Sequence, residues 1–135
     1  VSDGRIADNE LLYRRIPPGE PWVQPPDQIS SANFKLRDGE LGLSVYRASV
    51  VSAAHVLSKP EAIAGSTVVQ VTAGQIRAAQ NARGDPLSFD VIPVNDANDP
   101  GHAEIRGPDP GVISGGAAKA LKNLFKLLEP PPNQS

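Results

Sequence analysis

In "HAE", residues 102–104, a histidine and a carboxylate stand two positions apart. On an extended strand such a pair projects from one face, so His102 and Glu104 are placed to converge on one ligand and to move a proton there. Far upstream, "LLYRRIPPGEPWVQPPDQISSANFKL" concentrates Arg14, Arg15, Trp22, Ser30 and Ser31 in one short stretch. An arginine pair offers forked donors to phosphate or carboxylate, and the sole tryptophan offers a flat apolar anchor with a polar tip. His102 and Glu104 are therefore the candidate catalytic pair, and Arg14, Arg15, Trp22, Ser30 and Ser31 the candidate ligand-binding set. The competing reading makes the late pair partly exposed residues of an edge strand.

Metal chemistry finds little footing. Zinc nucleoside deaminases carry the same "HAE", but they also need a Pro-Cys-x-x-Cys segment, and this chain has no cysteine. Disulfides, thiol nucleophiles, zinc-thiolate sites and iron–sulfur clusters fall with it. His55, among Ala53, Ala54, Val56 and Leu57, reads as a buried helical histidine satisfied by one backbone group. Asp96, Asn98 and Asp99 resemble the start of a calcium loop, yet Pro100 stands where the next ligand belongs and the twelfth position lacks a glutamate. They read as solvated turn residues, and no metal is expected. Gly111, Gly115 and Gly116 precede the last helix without the spacing of a phosphate-binding loop.

A chain of 135 residues that is 39% hydrophobic fits one domain, and 14 prolines with only 4% aromatic residues point to a small aliphatic core with extended connections. The net charge of -2 speaks against general nucleic-acid binding through counterion release. No apolar run reaches the length of a membrane span, and "VSDGRIADNE" lacks the apolar centre of a signal peptide. The expectation is a cytoplasmic protein without a membrane partner.

The elements that would position these residues are short. Residues 1–9 read as a flexible tail, 10–128 as one domain and 129–135 as a proline-rich tail. "LLYRRI" reads as a strand or helical turn ended by Pro17 and Pro18, after which Trp22 anchors an extended segment on the core. "SSANFKL" alternates in polarity and pairs with "LGLSVYRA" across Asp38-Gly39, giving two strands and a hairpin turn. "SVVSAAHVLS" reads as a short buried helix and "STVVQV" as the clearest strand. Thr72-x-x-Gln75 is a capping box for a helix through about Ala82. "LSFDVIPV" is a strand that Pro93 confines to an edge or a bulge, and "HAEI" is the last strand. Ser114 caps a helix through Leu128, with Leu121, Leu124, Phe125 and Leu128 inward and Lys119, Lys122 and Lys126 outward. Together these give an α+β domain with a mixed or mainly antiparallel sheet and two or three helices.

Two resemblances bear on function. Arg14, then Ser30 or Ser31, then Glu104 follow the order of the arginine, serine and glutamate of NAD-dependent ADP-ribosyltransferases. That likeness implies arginine on the dinucleotide phosphates, serine supporting the nicotinamide side and glutamate steadying the ribose. Across residues 10 to 126, "LLYRRIPP", Trp22, "SSANFK", "LGLSVYRAS", "KPEAIA" and "PGHAEI" look like a family of small bacterial single-domain proteins without an established activity. In that pattern an acidic residue is usual where Tyr46 stands. The preferred expectation is a bacterial binding or accessory protein that grips a protein partner, or a nucleotide, through the Arg14–Trp22–Ser31 surface, with no cofactor. The alternative is an ADP-ribosyltransferase-like or other nucleotide-handling enzyme using NAD, which requires Arg14, Ser31 and Glu104 to line one pocket.

Overall fold

The fold is that of a computed structural model, which describes residues 6–19, 22–24, 28–60, 62, 64–94, 96–109 and 111–127. It is an α+β arrangement around a six-stranded sheet. In chain order the elements are β1 (Leu11–Ile16), β2 (Val23–Gln24), β3 (Gln28–Ile29), a 3-10 turn (Ser31–Phe34), β4 (Leu43–Arg47), α1 (Ala53–Leu57), β5 (Thr67–Thr72), α2 (Ala73–Arg77), β6 (Asp90–Pro93), β7 (His102–Arg106), α3 (Gly115–Leu124) and β8 (Lys126–Leu127). The sheet order is β6-β7-β4-β1-β5-β8 and every neighbouring pair is antiparallel, while β2 and β3 pair with each other alone.

Alternation along the strands sorts side chains to two faces. Leu12, Ile16, Leu43, Val45, Val69, Val71, Val91, Ala103 and Ile105 belong to the main core with Phe34, Ile76, Leu121 and Phe125. Their opposite-parity neighbours Tyr46 and Val68 form a second cluster with Val51, Ala53 and Val56. Here α1 covers part of the outer face, packing on β1 and β5. Arg14 shares parity with Leu12 and Ile16, so it enters from the core face. Ile6, within the stretch expected as a tail, is fully buried in the main core, and Gly74 N–H donates to the Asp8 carbonyl at 2.8 Å, so the packed body reaches back at least to Ile6.

Several expectations are corrected. "SSANFKL" is a 3-10 turn where a strand was expected. The Ser30 hydroxyl accepts from Ala32 N–H at 3.1 Å, and the buried Asn33 amide donates to the carbonyls of Trp22 at 2.8 Å and Ser30 at 3.0 Å. Such local side-chain bonds compete with a ladder, and here they win. The Asp38-Gly39 turn forms, with Gly39 at φ 84°, but joins this turn to β4 and closes no hairpin. The first helix is shorter than expected, Ser52 capping it through His55 N–H. His55 is exposed, because Ala53 and Val56 are the residues turned to the sheet. The Thr72–Gln75 capping box is present, but α2 stops at Arg77 and the Asn81 side chain then organises a turn by accepting from Arg83 and Asp85 N–H. The strand carrying His102 is interior, between β6 and β4, and β8 follows it. The last helix leaves helical geometry at Phe125, and Lys126 lies on β8 beside Gln70. Leu128 and the segment 129–135 lie outside the described residues. Pro93 does sit on an edge strand, β6.

Candidate functional site

The ladder between β1 and β4 holds at Leu12–Arg47 and Tyr13–Tyr46 and extends no further, although β1 stays paired with β5 over all six residues. Arg14 spans the divergence. Its Nη1 donates to the Ser44 carbonyl at 2.6 Å, and Nε and Nη2 donate to the Asn33 carbonyl at 3.0 and 2.5 Å. The guanidinium also lies 5.7 Å from the Phe34 ring centroid. These bonds satisfy a part-buried cation with neutral acceptors. Burial pulls its pKa down to about 10, with Glu40 opposing and the charges of Arg37 and Arg15 adding to the fall, so Arg14 stays cationic at neutral pH.

Two clefts share Arg14, Arg15 and Ser44. One, of about 340 Å³, is walled by Trp22, Asn33, Leu36, Arg37 and Glu40. Its arginines are unusual in their partners. Among the described residues, Arg14, Arg15 and Arg37 make no ion pair with a carboxylate; Arg15 donates to the Val56 carbonyl at 3.1 Å and Arg37 stands 5.9 Å over the Trp22 ring. Trp22 is half-buried against the core, its carbonyl held by Ser30 N–H and the Asn33 amide, so the ring is a fixed wall.

The second cleft, of about 300 Å³, is completed by Tyr46, Asp99 and His102. His102 stands opposite Tyr46 across the β4–β7 ladder, and its Nε2 meets the exposed Ser44 hydroxyl at 3.0 Å. On the other side of the imidazole, Nδ1 faces Asp99 Oδ2 at 3.8 Å. Tyr46 O–H donates to that same oxygen at 3.0 Å, and Lys59 Nζ reaches Oδ1 at 2.5 Å. Burial and the bond to Asp99 raise the Tyr46 pKa, and the bond to Asp99 raises that of Lys59.

Of the residues singled out from sequence, Arg14, Arg15 and Trp22 border one cleft, and Arg14, Arg15 and His102 border the other. Ser30 is spent on capping the 3-10 turn, and Ser31 and Glu104 line neither cleft. The Glu104 carboxylate instead pairs with Arg106 at 2.7 Å. The strands carrying Arg14 and His102 are not neighbours, since β4 lies between them. Ser44, on β4, connects the two by accepting from Arg14 through its carbonyl and meeting His102 through its hydroxyl. Sequence reasoning passed over Ser44, Lys59, Asn33 and Arg37, and Asp99, expected as a solvated turn residue, is instead half-buried and bonded to Tyr46 and Lys59. The signal for Ser44 was the alternation of "LSVY", which puts Ser44 and Tyr46 on the same face.

Among the described residues no group of three or more His, Asp or Glu is placed to hold a metal ion, and no helix is long and apolar enough to cross a membrane. No family model matches the chain, and no curated protein or solved structure is significantly similar to it.

Proposed function

We propose that the protein is a binding module that seats an anionic group, the phosphate of a nucleotide or a carboxylate of a protein partner, in the cleft between Trp22 and the arginines. One observation carries this reading: Arg14, Arg15 and Arg37 border a single cleft and make no ion pair with a carboxylate among the described residues. Guanidinium groups held by carbonyls, as Arg14 and Arg15 are, or by an aromatic ring, as Arg37 is, keep their charge for a ligand, and their planar forks suit phosphate and carboxylate. Trp22 adds a flat apolar wall on which a base or an aromatic side chain can stack. The ADP-ribosyltransferase-like alternative asks for Ser31 and Glu104 in the same cavity as Arg14, and both lie outside the two clefts.

Because Trp22 is the sole tryptophan, its emission reports on the cleft directly. Titration with ADP, and separately with a glutamate-rich peptide, is expected to give a saturable change for one of them that weakens as salt rises. Arg15→Gln and Arg37→Gln should each weaken that binding by about tenfold, the size of one charge-assisted hydrogen bond. A flat titration with both ligands, on protein whose circular dichroism is that of a folded chain, overturns the reading.

A further inference from the structure

Anion binding makes no use of the line that runs from the Ser44 hydroxyl through the His102 ring to Asp99. Ser44 Oγ lies 3.0 Å from His102 Nε2, and Asp99 Oδ2 lies 3.8 Å from Nδ1, so the hydroxyl and the carboxylate address opposite nitrogens of the imidazole. That is the polarity a nucleophile, a general base and an orienting carboxylate require. All three border the same 300 Å³ cleft, in which Ser44 is exposed. Asp99 is held in turn by Tyr46 and Lys59, which fix the carboxylate on the side of the ring away from the serine. Arg15, with one side-chain hydrogen bond among the described residues, keeps donors for a developing oxyanion in that cleft.

We infer that Ser44, His102 and Asp99 form a hydrolytic centre that cleaves carboxylic esters. Ser44 Oγ adds to the ester carbonyl carbon while its proton passes to His102 Nε2. The tetrahedral intermediate places its negative charge beside Arg15. As it collapses, the bond to the leaving alcohol breaks and His102 returns the proton to that oxygen, leaving an acyl group on Ser44. Water, deprotonated by the same imidazole, then releases the acid and restores the serine. Asp99 is a positioning residue that orients the imidazole and faces its positive charge. Esters bearing a carboxylate or phosphate are the preferred class, a preference that rests on the arginine cleft as an anion site; the catalytic trio does not depend on it.

Diisopropyl fluorophosphate separates the two claims, because it is neutral and needs no anion site. Attack by Ser44 Oγ forms the oxygen–phosphorus bond, fluoride leaves and the proton goes to His102. Intact-mass and peptide mapping of the full chain should find one adduct, on Ser44. Ser44→Ala should abolish it, and His102→Gln should slow it by about 100-fold or more, the usual range for loss of a general base. The ring meets Ser44 and Tyr46 on β4 and Asp99, with Lys59 behind it; Arg14 and Arg15 of β1 share its cleft, and Glu104, two residues along its own strand, is paired with Arg106. Removing only the Asp99 charge, by Asp99→Asn, should displace the rate–pH profile to lower pH, whereas a merely structural loss lowers the rate equally at every pH. No adduct on the folded wild-type protein, an adduct that survives Ser44→Ala, or an Asp99→Asn profile lowered without displacement overturns the inference.

Discussion

Asp99 holds three neighbours at once, Lys59 and Tyr46 by hydrogen bonds and His102 across 3.8 Å. Burial by itself raises its pKa, but the hydrogen bonds from Lys59 and Tyr46 and the charge of Lys59 outweigh it, leaving the carboxyl below the ordinary aspartate range. The sign of the linkage follows. A carboxyl more acidic in the folded than in the unfolded chain stabilises the fold above the unfolded value, near pH 3.9, and loses that contribution as pH falls through the folded value. Asp99→Asn should therefore melt below the wild type at neutral pH, with the gap between their melting temperatures closing as pH falls below about 4. Glu10, held low by Arg47 and Ser49 against the opposing effect of burial, titrates in the same acid range in both proteins and cancels in the comparison. A gap that stays constant into acid would mean that the carboxylate is not the group being read.

Between residue and fold, the determining element is the 3-10 turn. It fixes the Asn33 backbone carbonyl under Arg14 and the Asn33 side-chain amide on the Trp22 carbonyl, so one buried residue sets both walls of the arginine cleft. Asn33→Ala removes one of the two donors at each of the Trp22 and Ser30 carbonyls, which keep their backbone N–H partners. Two hydrogen bonds at about 0.5–1.5 kcal/mol each should cost about 1–3 kcal/mol, read by chemical denaturation, with Trp22 emission shifted as its wall loosens. A cost below that range with unchanged emission would show the turn to be held by Phe34 packing alone. This turn was illegible in the sequence because "SSANFKL" fits a period of two, and the bonds that overrule the period reach back to Trp22, eleven residues away. Elements whose reasons are local were legible: the Thr72–Gln75 box, the β-branched run of β5 and the Ser114 cap. Helix ends were not, since α1, α2 and α3 stop where a turn or a strand pairing takes over. In the site, Arg14, Arg15, Trp22 and His102 stood out by residue type. Ser44 did not, and Asp99 read as a solvated turn, because their roles arise from the β4–β7 register and from a loop that folds back on Tyr46 and Lys59.

At the scale of the molecule, the antiparallel sheet carries a main core on one face and a smaller cluster beneath α1 on the other. The two candidate clefts meet at the place where β1 parts from β4, so the fold gains a polar site without opening either core. Gly42 helps hold the neighbouring strand in place: a Cβ there would come within 2.6 Å of the Ile105 carbonyl, which ties the start of β4 closely to β7. The central claim is that the arginines around this gap receive an anion, and the arginine side-chain Nε–H resonances test it most directly. On adding inorganic pyrophosphate, the account predicts saturable shifts at Arg15 and Arg37, with Arg14 responding through its shared cleft, while Arg47 and Arg77, already paired with Glu10, Asp8 and Asp90, stay put. Shifts absent at Arg15 and Arg37, or equal at Arg14, Arg15, Arg37, Arg47 and Arg77, would contradict it.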